Sequence, residues 1–295
     1  MPSTTTDGPA VPHPAHAPLV LGLVADAAVF PPAALPLEDA VAAHRRHRTA
    51  AYAAAVGPLL VAASGVAELV RVLDAEGGRA DVLDVVVVAR PGGDPATLTA
   101  ALEALRGDNR VRVVAAELAW EQDWRDLGLD GLPLALEVPR GEEHDLALAD
   151  IRTGVREGLP VVAKFRTGPT PTWPWPDEAE LADLLVALSA LEVPFRLTGG
   201  LHHAARGTYE VDGVPEENHG LLNVLLATSA ALSGAGREEV AAVLAVDDAE
   251  ALAELVGAWS ADTTSRVRAA FTGYGCCTVT DPLGELADLG LLDLT

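Results

Sequence analysis

The chain has 295 residues, of which 49% are hydrophobic, and a formal net charge of −23. A field this negative repels polyanions, which argues against a nucleic-acid or anionic-membrane partner, yet a few inward arginines could still hold a small anion. No eighteen apolar residues run free of proline and charge, so no membrane span is expected. Cys276 and Cys277 are adjacent and poorly placed to bridge one another, which fits a reducing cytoplasm.

Residues 1–18 are polar and proline-rich without a basic leader, and read as a disordered tail ahead of a single catalytic domain at 19–295. Short apolar runs then follow at Leu19–Asp26, Pro58–Ala63, Val82–Arg90, Val111–Leu118, Pro133–Pro139, Pro160–Thr167 and Pro194–Gly200, with a weaker one at Phe271–Val279. Runs such as Val85-Val86-Val87-Val88 suit strands buried on both faces of a parallel sheet. Helical patterns separate many of them: Leu37–Arg48, Gly65–Glu76, Asp94–Arg106, Asp145–Glu157 and Asp177–Leu191. Asp94-Pro95 puts an N-cap before a proline at the first helical position, and Pro176-Asp177 precedes another helix start. The spacing predicts a single (β/α)8 barrel of the TIM type. A doubly wound sheet is the alternative, weakened by the lack of a dinucleotide fingerprint or a phosphate-binding loop, and no cofactor is expected. After the seventh strand, Gly207–Gly220 reads as a polar loop. Three helices, Leu221–Leu232, Arg237–Val246 and Asp248–Trp259, elaborate the barrel before its last strand, and Leu283–Leu292 ends the chain as a helix.

Barrel sites lie at the C-terminal ends of the strands. Those ends carry Asp26, Arg90, Glu117, Glu137, Arg140, Lys164, Arg166, Arg196, Thr198, Gly199 and Gly200. Lys164 is the only lysine; the other nineteen of the twenty basic residues are arginines, as a high-GC coding bias would leave them. Lysine, unlike arginine, loses its proton when desolvated and becomes a nucleophile. Strand alternation puts Arg166 on the same face as Lys164, so burial and a neighbouring cation are expected to lower its pKa. The competing reading is a ring of salt bridges plugging the barrel.

Lys164-Phe165-Arg166-Thr167-Gly168 resembles the Schiff-base strand of deoxyribose-phosphate aldolase-like class I aldolases, with their Lys-x-x-Thr-Gly spacing. Arg196-Leu197-Thr198-Gly199-Gly200-Leu201 is similar to that family's next strand. The resemblance covers about fifteen residues. It implies that Lys164 forms the imine, that Arg196 stands where an auxiliary lysine would, and that Gly199 and Gly200 offer backbone N–H groups to an anion. It departs from the family in having that arginine, in lacking a clear proton-transfer aspartate and in carrying the insertion after strand seven.

The expected function is therefore an aldolase or lyase acting on a small anionic carbonyl compound, a keto acid or a sugar phosphate. Lys164 would be the nucleophile; Glu137, His202, His203 or His219 would move protons; Asp26, Arg166, Arg196, Thr198, Gly199 and Gly200 would hold substrate. One alternative is a metal-dependent lyase or hydrolase using His202, His203, His219 and a carboxylate. Another is a non-catalytic ligand-binding barrel. His44 and His47 are expected to be solvated. The cysteines are read as packing or anion-site residues rather than nucleophiles, and Trp173-Pro174-Trp175-Pro176 as a pocket wall or a rigid turn. The apolar composition permits a homo-oligomer without locating its interface.

Overall fold

The computed structural model describes residues 17–77, 81–129, 131–170, 172–211 and 213–293. The expected disordered tail falls almost entirely outside these residues. Eight parallel strands close into a barrel: β1 (Val24–Asp26), β2 (Val56–Ala62), β3 (Leu83–Val88), β4 (Val111–Ala119), β5 (Leu134–Glu137), β6 (Val161–Arg166), β7 (Phe195–Thr198) and, returning to β1, β10 (Phe271–Cys276). This is the (β/α)8 architecture that the run spacing predicts.

Strand alternation divides the barrel residues into two sets. Val85, Val87, Leu118, Leu136, Phe165, Leu197 and Tyr274 belong to the large outer core packed between strands and helices. The lumen receives the alternate residues and holds a separate small apolar cluster of Ala25, Ala27, Leu60, Val86 and Val88. The covering helices begin where their caps dictate. Asp94 accepts from the Ala96 N–H ahead of α4 (Pro95–Leu105), and Asp177 accepts from the Glu180 N–H ahead of α6 (Glu178–Leu191). Between β4 and β5 the cover is a 3-10 turn, Trp124–Leu127. There Trp120 and Trp124 both donate their indole N–H to Asp150 of α5 (His144–Arg156).

Several local expectations change. The first run is strand only over its last three residues: Ala17–Val20 forms a helical turn, α1, and the chain reverses at Gly22 before β1. Gly207–Gly220 is not a loop but an antiparallel hairpin, β8 (Gly207–Val211) with β9 (Val214–Asn218). Gly213, at φ +78°, takes the left-handed backbone beside β9. Four helices rather than three follow: α7 (Leu221–Leu232), α8 (Arg237–Leu244), α9 (Ala249–Gly257) and α10 (Ala261–Ala270). The last helix, α11, starts earlier than expected, at Thr280, with Pro282 inside its first turn. Among the described residues no helix is long and apolar enough to cross a membrane.

Candidate active site

Glu137, Lys164 and Arg196 are register partners across β5, β6 and β7, so their side chains share the lumen face near its C-terminal mouth. Glu117 of β4 joins them. Lys164 Nζ lies 2.9 Å from Glu117 Oε2 and 2.9 Å from Glu137 Oε2. Arg166 Nε donates to Glu137 Oε1 at 3.4 Å. Arg196 Nε lies 3.1 Å from Glu117 Oε1, but its N–H is not aimed at that oxygen, and both atoms are buried without a hydrogen bond. The cluster thus sets three cations against two carboxylates. Side-chain exposure rises in steps from 1% at Glu117 and 3% at Lys164, through 13% at Glu137 and Arg196, to 33% at Arg166. Arg166 is the end of the network that meets solvent.

Electrostatics reverses one expectation. Burial alone would lower the Lys164 pKa, but the charges of Glu117 and Glu137 outweigh it and hold the amine above its ordinary value, as an ammonium. Burial pushes Glu117 up, yet Arg196 and Lys164 pull it below the usual carboxylate range; for Glu137 the opposing pull comes from Lys164 and Arg166. The carboxylates, not the neighbouring arginines, decide the protonation of Lys164, because they touch it.

The remaining predicted residues do not all join this cluster. Asp26 faces outward. It accepts from the Ala28 N–H and pairs at 3.0 Å with Nδ1 of His44 on α2 (Leu37–His47), both residues fully buried, so Asp26 does not face the lumen where a substrate would bind. His44 is therefore not solvated: it shares the inner face of α2 with Leu37, Ala40 and Val41. His47 is half-buried and shares a hydrogen bond with the Tyr52 hydroxyl, 2.9 Å away.

The three candidate histidines go separate ways. His202 lies beside the thiols of Cys276 and Cys277, at 3.7 and 3.8 Å. Burial keeps its imidazole neutral by lowering its pKa and keeps both thiols protonated by raising theirs. His203 pairs with Glu285 at 2.7 Å and stacks on Tyr209 of the hairpin. His219 donates through Nε2 to the Pro176 carbonyl at 2.8 Å, and its buried Nδ1 has no partner. Among the described residues no three His, Cys, Asp or Glu side chains gather for a metal ion, and these histidines do not form the two-His-one-carboxylate site considered above.

The rim is built tightly. Thr167 Oγ1 donates to the Gly199 carbonyl at 2.6 Å, tying the ends of β6 and β7 together. Gly200 takes φ +102°, and a Cβ there would lie 2.2 Å from the Trp175 ring, so only glycine fits beneath this tryptophan. Arg140 anchors the Trp173–Pro176 loop through the Pro174 carbonyl and a paired contact with Glu180. Arg166 Nη1 lies against Gly199.

Glu117 is the site residue that the strand-end pattern marks but the functional reading passes over. Its signal is a lone carboxylate inside the Val111–Leu118 run. A cavity of about 640 Å³ opens at the opposite end of the barrel, between α4, the start of β4 and the Gly128–Leu132 segment. Leu102, Leu105, Val111, Val113, Leu129 and Leu132 line it, and none of the lumen charges reaches it.

The fold and this cluster define a (β/α)8 barrel with a charged constellation at the end where such barrels carry their sites. Comparison of the chain with protein-family models, curated proteins and solved structures found no match.

Proposed function

We propose that this barrel is a lyase of the class I aldolase type, acting on a small anionic carbonyl compound through an imine on Lys164. The observation that carries the reading is the chain's only lysine seated at the barrel mouth between two carboxylates, with a surplus cation at the rim. Burying five charges costs several kcal/mol per ion before pairing repays it, and a substrate anion meeting Arg166 would balance the odd positive charge.

In this reading the resting ammonium gives a proton to Glu137, the more accessible of its two partners. The neutral amine then adds to the substrate carbonyl carbon, and the carbinolamine oxygen takes up a proton and leaves as water. The iminium accepts the electron pair of the carbon–carbon bond that breaks, while the departing fragment's hydroxyl loses its proton and becomes a carbonyl. Protonation of the enamine carbon and hydrolysis return Lys164. Glu117, fully buried, stays ionised and holds Lys164 and Arg196 in place.

The test is borohydride reduction with pooled 2-oxo acids and sugar phosphates, followed by mass mapping. One adduct at Lys164, absent in Lys164→Arg, is expected. Folded protein that takes no adduct from any carbonyl overturns the reading. A second reading, a non-catalytic barrel whose lumen charges only brace β4 to β7, draws on the same close pairing, which keeps Lys164 charged. It requires Lys164→Arg to keep native stability and ligand binding.

A further inference from the structure

One buried side chain ties the insertion after β7 to the barrel mouth. His219, directly after β9, donates through Nε2 to the Pro176 carbonyl at 2.8 Å. Pro176 closes the Trp173–Pro176 loop, and Trp175 beside it covers Gly200, two residues past β7. Arg166 Nη1 lies against the adjacent Gly199, so this loop borders the exposed end of the lumen charges.

The backbone under His219 is fixed. A Cβ at Gly220 would lie 2.2 Å from the Ala205 carbonyl carbon, and the Leu221 and Leu222 N–H groups are bonded to the carbonyls of His203 and Ala204. The ring is 5% exposed, and its buried Nδ1 has no partner. While Nε2 alone carries a proton, Nδ1 is only an unused lone pair. A proton on Nδ1 would make a buried cationic donor without an acceptor, which costs far more.

The charged groups around the ring are Asp177 and Glu178 from the start of α6 and Arg206 ahead of β8. None of them bonds to it. Asp177 caps α6, and Glu178 is turned to Arg206, which also meets Glu217. His203, whose backbone pairs with Gly220, is turned to Glu285. Burial, with Arg206, lowers the His219 pKa more than the Pro176 carbonyl, Glu178 and Asp177 raise it.

We propose that His219 is an acid-released latch: as the neutral ring it pins the Trp173–Pro176 loop to the hairpin, and on protonation it leaves its niche, freeing the Pro176 carbonyl and lifting Trp175 from Gly200 at the mouth of the barrel. The latch is complete above the ordinary imidazole value of 6.5 and weakens as pH falls below it. Arg140 holds the Pro174 carbonyl, so the loop pivots there instead of detaching. None of this requires the imine on Lys164.

Fluorine NMR of the full-length protein tests the latch. Uniform 5-fluorotryptophan labelling gives one resonance for each of the five tryptophans, and Trp175→Phe assigns the one that covers Gly200. Between about pH 8 and about pH 5 the Trp175 resonance is expected to shift toward that of the free amino acid, with a midpoint below 6.5 that matches the titration of the His219 Cε1 proton. His219→Gln keeps an N–H for the Pro176 carbonyl without a titrating ring and should abolish the shift. His202→Gln removes another imidazole that burial keeps neutral and should leave the shift in place. A shift that survives in His219→Gln, that never appears in the wild type, or that comes only with loss of the far-ultraviolet circular dichroism overturns the latch. Should His219→Gln fail to fold, the wild-type midpoints decide: equal values for Trp175 and His219 support the latch, and unequal ones overturn it.

Discussion

The two arcs of the lumen are made of the same element, a parallel strand, and differ in what points inward. β1 to β3 contribute alanine, valine and leucine; β4 to β7 contribute Glu117, Glu137, Lys164, Arg166 and Arg196. The apolar arc needs only volume, because aliphatic side chains are satisfied by any close packing. The charged arc needs geometry, because each ion leaves water at a cost that only a correctly placed partner offsets. One arc therefore tolerates change in proportion to its methyl groups, and the other depends on specific pairs.

Removing the centre of the charged arc should do the most damage. Lys164→Met leaves Glu117 and Glu137 facing one another without their ammonium, and should cost about 3–5 kcal/mol in urea unfolding at neutral pH. Adding Glu117→Gln to that variant should restore part of the loss. A drop below about 1 kcal/mol would mean that the arcs differ less than their chemistry suggests.

Leu60→Ala, in the apolar arc, should cost about 2–4 kcal/mol through lost transfer energy and the cavity left behind. The informative part is that this cost should be the same at every pH, since no charge is involved.

The pH profile separates the arcs further. The Glu117 and Glu137 pKa values lie below their ordinary 4.5 in the folded state, so their contribution is complete above that value and is lost as pH falls through the depressed range. Lys164 lies above its ordinary 10.5, so its contribution is complete below that value and is lost as pH rises through the raised one. Melting temperature should show a plateau with an acid and an alkaline flank. Leu60→Ala should lower the whole curve, whereas Lys164→Met should flatten it. Unchanged flanks in Lys164→Met would place the titrating groups elsewhere.

The smallest effect belongs to the rim. Arg166 is a third exposed and makes a long contact, so Arg166→Gln should change stability by about 1 kcal/mol or less. In the proposed function it should nevertheless weaken carboxylate binding at least 10-fold, as read by calorimetry. Stability and affinity falling together would make Arg166 a brace rather than an anion receptor.

Much of this was legible along the chain. Short apolar runs separated by helical patterns announce the barrel, and charges at the ends of those runs announce its mouth. His44 was legible too, since its spacing from Leu37 and Val41 puts it on the inner face of α2, but a basic neighbourhood made it look solvated. The hairpin after β7 hid behind Pro215 and its run of acidic residues, with only Asp212-Gly213 to mark it. The three histidines after β7 looked like a cluster because they are near in sequence. The chain instead spreads them to Cys276 and Cys277, to Glu285 and to the Pro176 carbonyl.

The amino-acid sequence by itself determined the eight barrel runs, most of the helices between them and the shared face of Lys164 and Arg166, because these follow from local pattern. Which charges meet was decided only by closure of the barrel. Read along its own strand, Lys164 has Arg166 for company and is expected to lose its proton. Closure brings Glu117, 47 residues earlier in the chain, and Glu137 to within 2.9 Å, and the ammonium is held. Coulomb energy falls with distance through space and is blind to distance along the chain.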